Sequence, residues 1–193
     1  KGVQFIAANT DADALSSSLA GHKIQLGPKL TKGHGSGANP DIGRRAAEES
    51  IGTVEEILRG TDMVFITAGM GKGTGTGASP VIAKIAKQLG ILTVGVVTKP
   101  FMWEGKLKMS IAEEGIKSLK PHTDVLIEIP NHKLVSISDN EMLVTQTFEK
   151  SNEVLKRAVQ SISDIITSKG LINVDFQDVK TIMQNAGEAM LGF

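Results

Sequence analysis

The chain has 193 residues, 40% of them hydrophobic, with 21 Lys+Arg against 21 Asp+Glu for a formal net charge of +0, and no cysteine. That length and apolar share suit one globular domain, or one with the start of another, and the even charge removes any bulk drive toward nucleic acid or an anionic membrane. Disulfides, thiol nucleophiles and cysteine zinc sites are excluded, and His22, His34, His122 and His132 lack ligand spacing.

Taken in order, Val3 to Ala8 predicts a short strand. Asn9, Thr10 and Asp11 close it with polar side chains that suit a loop at a strand's carboxyl end, the edge where α/β proteins bind ligands. Asp11 serves equally as cap of a helix from Ala12 to Ser18 and as a contact near a bound phosphate or its metal. His22 to Leu26 alternates polar and apolar residues, as an edge strand does. Gly33 to Pro40 is a glycine loop that ends in Asn39 as N-cap and Pro40 at the first helical position. Ile42, Ala46, Val54 and Leu58 then predict one helix running to Gly60.

The stretch from Asp62 to Leu89 organises the rest. Met63 to Ala68 predicts a buried parallel strand, Gly69 to Gly77 a tight loop, and Ile82, Ile85, Ala86 and Leu89 one face of a helix beginning near Ala78. Glycines let loop amides point inward, and the helix behind adds unpaired N–H groups and a positive dipole end. Thr74 and Thr76 add hydroxyl donors and Lys72 a mobile positive charge, so the loop is a phosphate cradle. A Walker loop needs Ser or Thr after Gly-Lys and a further glycine upstream; Gly73 follows Lys72 here and Ile66 holds the upstream place. Gly73, Gly75 and Ala78 fit a dinucleotide fingerprint loosely, but Val97, Thr98 and Lys99 end the next strand without the acid that binds a ribose.

Gly90 stops the helix and Ile91 to Val97 is a further buried strand, so the fold is α/β, a Rossmann-like parallel sheet with helices on both faces. In the turn from Thr98 to Gly105, Glu104 offers acceptors to a ribose and Lys108 a charge to phosphate or base, or the two form a solvated i,i+4 pair worth ~0.2–0.5 kcal/mol. Trp103 is taken as a packing residue. Thr123 to Ile129 is another strand, with Asn131 at its carboxyl edge. A long helix runs from Phe148 to Ser168 with Leu155, Val159, Ile162 and Ile166 on one face. Gly170 to Asp178 breaks it and opens a helix from Val179 to Ala186, which Asp175 and Asp178 suit as N-cap and first-turn acid. No apolar run approaches the ~20 residues of a membrane helix and no leader opens the chain, which predicts a cytoplasmic protein. A start at Lys1, entering a strand at once, predicts a fragment or processed product.

Gly71 to Gly77, with Ala68, Gly69 and Met70 before it and Ala78, Ser79 and Pro80 after it, resembles the signature loop of the tubulin/FtsZ GTPase family, in its bacterial cell-division branch. The Ala38-Asn39-Pro40 loop, Pro-Phe-x-x-Glu-Gly from Pro100, and Asn-x-Asp-x-x-Asp from Asn173 follow the family's order, and the resemblance spans nearly all of Val3 to Phe193. It implies GTP or GDP with Mg2+, held by Asn9 and Asp11, by Gly35, Ser36, Gly37, Ala38 and Asn39 as the γ-phosphate-sensing loop, and by Gly71, Lys72, Gly73, Thr74, Gly75, Thr76 and Gly77. Pro100 and Glu104 fall at the ribose, Lys108 at phosphate or base, Asn131 at a nucleotide contact or the cap of a short helix, and Phe148 and Asn152 at the base. A phenyl ring stacks on a base, and the Asn152 carbonyl accepts from guanine N1–H and N2–H, donors that adenine lacks; otherwise Phe148 is core.

Asn173, Asp175 and Asp178 match the family's synergy loop, which enters the next subunit's pocket and activates water at the γ-phosphate. A helix spanning ~30 Å keeps these acids from the nucleotide near its other end, so they serve a neighbour's in a head-to-tail homopolymer. The resemblance implies a self-assembling cytoskeletal GTPase of bacterial cell division, cytoplasmic at the division site, with division-machinery partners, no nucleic acid and no direct membrane insertion. The GTP-binding domain covers 1–168, incomplete at its N-terminus, and 169–193 carries the synergy loop and the start of a connection to a second domain. Two departures stand out: Lys72 replaces a usual glycine, and the family's first strand and first glycine phosphate loop precede the segment that begins here. In a sheet ordered 3-2-1-4-5-6 that strand is central, which predicts a gap. The alternatives are an inactive assembly fragment that neither binds nor hydrolyses GTP, and a dinucleotide-dependent oxidoreductase.

Overall fold

The computed structural model describes residues 3–136, 144–167 and 176–189. Apolar, β-branched runs lie as parallel strands, and the intervening amphipathic runs return over the faces of the sheet as helices. β1 (Ile6–Asn9) passes through α1 (Ala12–Ser16) to β2 (His22–Gln25), an edge strand paired in parallel with Ile6 opposite His22. α2 (Pro28–Thr31), α3 (Pro40–Glu49) and α4 (Ile51–Leu58) lead to β3 (Met63–Gly69). α5 (Thr74–Gln88) crosses to β4 (Leu92–Lys99), and α6 (Lys106–Leu119) to β5 (Val125–Pro130). After α7 (Asn131–Ser136), α8 (Val144–Thr167) and α9 (Phe176–Met183), the short β6 (Gly187–Ala189) pairs with β5.

Among the described residues the sheet is in two pieces, β1-β2 and β3-β4-β5-β6, all pairings parallel. No ladder joins β1 to β3, the gap that an order with an additional central strand predicts. The two pieces still share a core. Ile6, Ala8 and Val64 pack on a buried cluster that includes Ile24, Leu26, Ala46, Ile85 and Ile91. Strand alternation then builds the layers. Val94 and Val96 of β4 meet Val154 and Ala158 of α8 on one face, while Val97 meets Ala83 of α5 and Ala112 and Ile116 of α6 on the other.

Several elements differ from expectation. The helix predicted from Ile42 to Leu58 is two, because Ser50 leaves it at φ −102°, ψ 13°, where its hydroxyl accepts from the Gly27 N–H at 2.9 Å. A side chain that serves the exit of β2 thus competes with the helix. α8 begins at Val144, and its most buried apolar residues are Val154 and Ala158, beside which Leu155, Val159 and Ile162 of the predicted face are only partly buried. α9 starts and ends three residues earlier than predicted, since Asn185 takes a left-handed turn at φ 57° that Asn tolerates better than most residues. β6 was not expected: Gly-Glu-Ala carries no strand signature, and only β5 beside it makes it one.

Candidate functional site

The carboxyl ends of β1, β3, β4 and β5 open on one edge, and the predicted ligand loops gather there. α5 begins at Thr74 rather than near Ala78, so Thr74, Gly75 and Thr76 form its first turn, whose N–H groups have no partner within the helix. Loop amides and helix dipole therefore act at one place. Gly71 takes φ 103°, and a Cβ there would sit 2.7 Å from Pro100 Cγ and 2.8 Å from the Lys108 carbonyl oxygen, so only glycine lets the loop rest on the 100–108 segment. Thr76, expected to donate to the anion, is buried, and its hydroxyl accepts from the Gly71 N–H at 2.9 Å, closing the loop on itself. Lys72 is exposed and is not in the left-handed region, so the departure from glycine introduces no backbone strain.

Thr74 is where three loops meet. Its hydroxyl lies 2.6 Å from that of Thr10, after β1, and 3.1 Å from that of Ser36, in the second glycine loop. Left-handed turns at Gly33, Gly35, Gly37 and Ala38 fold that loop, and the Asn39 side chain caps α3 by accepting from the Asp41 N–H at 2.9 Å. Asp11 caps α1, as predicted, and also touches the second glycine loop. Its Oδ1 accepts from the Ala14 N–H at 2.9 Å as a cap, and its backbone bridges to His34 in the glycine loop. The Asn9 side chain accepts from the Asp11 N–H at 3.1 Å and fixes the turn.

The second half of the edge is aromatic. Glu104 accepts from the Phe101 N–H at 3.0 Å and pairs with Lys108 at 3.2 Å, so the local i,i+4 pair is made. A carboxylate has further lone pairs, so the pair with Lys108 leaves Glu104 acceptor capacity. Trp103 packs as expected: it stacks on Phe101 at 5.2 Å and meets Phe148 edge-on at 5.8 Å. Phe148 is 42% exposed, which removes it from the core, and Asn152 is exposed one turn further along α8. Asn131 is buried, and its Oδ1 accepts from the Ser151 hydroxyl at 2.7 Å, tying the start of α8 to the end of β5. Thr10 is the residue the motifs missed. Thr10 lay in plain sight between Asn9 and Asp11, but its partner is 64 residues away.

The acids are elsewhere. Asn173 and Asp175 lie outside the described residues; Asp178 is exposed in the first turn of α9. Lys180 of α9 donates to the carbonyl of Gly90, just before β4, whereas the cradle adjoins the far ends of β3 and β4. The eight residues of β4, with a rise of ~3.3 Å from each to the next, separate these edges by roughly 23 Å end to end.

Residues 1–139 match the family model described as Tubulin/FtsZ family, GTPase domain. The cell division protein FtsZ of Coxiella burnetii is 56% identical over 191 residues, 99% of this chain and 50% of that protein. That of Pseudomonas aeruginosa is 55% identical over 192 residues, 100% of this chain and 49% of that protein. Among solved structures, FtsZ of M. jannaschii in an empty dimer superposes with a TM-score of 0.93 at 50% identity, covering 97% of this chain and 55% of that one. The chain thus spans about half the length of the curated relatives it matches. By sequence and by fold, it belongs to the tubulin/FtsZ family, over the GTPase domain.

Proposed function

We propose that the chain is the nucleotide-binding part of a self-assembling GTPase of bacterial cell division, acting in the cytoplasm at the division site with other division proteins. GTP sits at the carboxyl edge of the sheet, and Asp178, with Asp175 and Asn173, serves the nucleotide of the next subunit in a head-to-tail polymer. One observation carries this: the phosphate cradle and the acid-bearing helix lie on opposite edges of the same sheet. A single chain cannot bring the two together. A head-to-tail stack can, and such contacts propagate into filaments.

In this mechanism the amides of Lys72 and Gly73 and of the first turn of α5 hold the phosphates and stabilise charge on the γ-phosphoryl oxygens, while the Gly71 amide, bonded to Thr76, shapes the loop. The partner's Asp175 and Asp178 accept hydrogen bonds from water and orient it for in-line attack. Mg2+ prefers oxygen ligands, and the clustered hydroxyls of Thr10, Ser36 and Thr74, with Asp11 next to Thr10 in sequence, are the oxygen donors that would hold it; the ion would offset phosphate charge. Phe148 and Asn152 receive guanine. Replacing Asp178 by Ala should lower turnover by about 100-fold or more while GTP affinity stays within about twofold, read by phosphate release and equilibrium binding. Lost binding would contradict the role in trans.

The split sheet favours a second function, an assembly fragment without GTPase activity. Asn9 to Asp11 and Gly69 to Gly73 leave β1 and β3, the two strands with no mutual pairing, so the cradle is braced by helix packing rather than by a ladder. GTP binding to the chain by itself separates the two functions.

A further inference from the structure

Asp124, the residue before β5, is 3% exposed and lies at the edge opposite the cradle. A buried carboxylate persists only when its charge is compensated, and three donors surround this one. Oδ2 accepts from the Thr93 N–H at 2.9 Å, and Oδ1 accepts from Lys87 Nζ at 3.0 Å and from the Asn185 N–H at 3.3 Å. Lys87 also donates to Asn185 Oδ1 at 2.9 Å, and the Asp124 carbonyl accepts from the Gly187 N–H at 2.9 Å. One residue therefore joins the end of α5, the start of β4, and the turn between α9 and β6. Apolar anchoring of α9 is thin: Val179 is buried, Met183 flanks the core, and Ile182 is 77% exposed. Lys180 on the Gly90 carbonyl at 3.1 Å and Lys120 with Glu188 at 2.5 Å add outer ties.

We propose that Asp124 is a positioning residue for hydrolysis in trans: through Asn185 and Lys87 it fixes α9 against the sheet, and so fixes where Asp178 stands when it meets the next subunit's nucleotide. The proposal rests on the role of Asp178 given above. Asp124 touches no substrate, and a carboxylate is required because all three of its side-chain partners are donors. An amide there turns an N–H2 against one of them.

The test uses Asp124→Asn and, should that variant fold poorly, Asn185→Gly, which accepts φ 57° without strain but lacks the oxygen that Lys87 bonds. Amide hydrogen exchange over residues 176–189 should quicken by about tenfold or more, while β3 and the first turn of α5 are unchanged. GTP affinity should hold within about twofold and turnover at saturating GTP fall by about tenfold or more, a split that general destabilisation does not produce. Mixing Asp124→Asn chains with chains whose cradle is blocked by Gly71→Val should restore turnover above either alone, since each supplies the half the other lacks. Unchanged exchange over 176–189, or quickened exchange with undiminished turnover, overturns the proposal. Full turnover in Asp178→Ala instead overturns the trans role itself, which distinguishes the two failures.

Discussion

Thr74 does more than a loop threonine needs to, because its hydroxyl meets those of Thr10 and Ser36 and makes three separate loops one site. At this scale the motifs were legible where they are contiguous, as in Gly71 to Gly77, and silent where the partner is distant, as for Thr10. The same holds for Glu104, whose pairing with Lys108 follows from i,i+4 spacing, while its bond to the Phe101 N–H depends on how the turn folds. Asn152 is the residue on which base choice should depend. Asn152→Ala should narrow the preference for GTP over ATP by ~1–3 kcal/mol, measured as the ratio of the two dissociation constants. Asp124 should make the fold acid-sensitive. Burial alone would push its carboxyl up, but the N–H of Thr93, the Lys87 ammonium and the N–H of Asn185 together hold it below the ordinary 3.8. A folded value below the unfolded one means that the stabilisation is complete above the unfolded value and is lost as pH falls through the folded one. The stability difference between wild type and Asp124→Asn, from denaturant titration, should therefore be constant at neutral pH and shrink below pH ~3.8.

Among the elements, α3 and α5 decide whether the two glycine loops can share a ligand. A Cβ on Gly43 would overlap the Gly73 carbonyl oxygen, and one on Gly77 the Pro40 carbonyl oxygen, so the helices meet backbone to backbone. That approach sets Ser36 against Gly73. The sequence displays both glycines, but not that they face each other, since their contact is set by helix crossing rather than by local propensity. Gly43→Ala should cost ~1–3 kcal/mol by overpacking, seen as a Tm lower by ~2–4 °C per kcal/mol, and should weaken GTP binding by parting the loops. Strands and helices with strong periodicity were legible from residue order alone. The break at Ser50 and the strand at β6 were not, because a long-range hydrogen bond makes the one and a neighbouring strand the other.

The whole molecule places the glycine-loop cradle and the helix that carries Asp178 at opposite edges of a parallel sheet about 23 Å deep. The order of the motifs along the chain already implied that separation through the long helix before Asp178, and the sheet shows it directly through Lys180 on Gly90. Division in two pieces, β1-β2 and β3-β4-β5-β6, was also expected, through the strand order that the family resemblance implies rather than from any side chain. Turnover should then be a property of the junction between chains and not of the chain. The most direct measurement is phosphate release from GTP, with ATP as control, across a range of chain concentrations. Specific activity that rises with concentration, for GTP alone, is the predicted result; hydrolysis at a constant specific activity down to the most dilute chain, or equal activity with ATP, would contradict it.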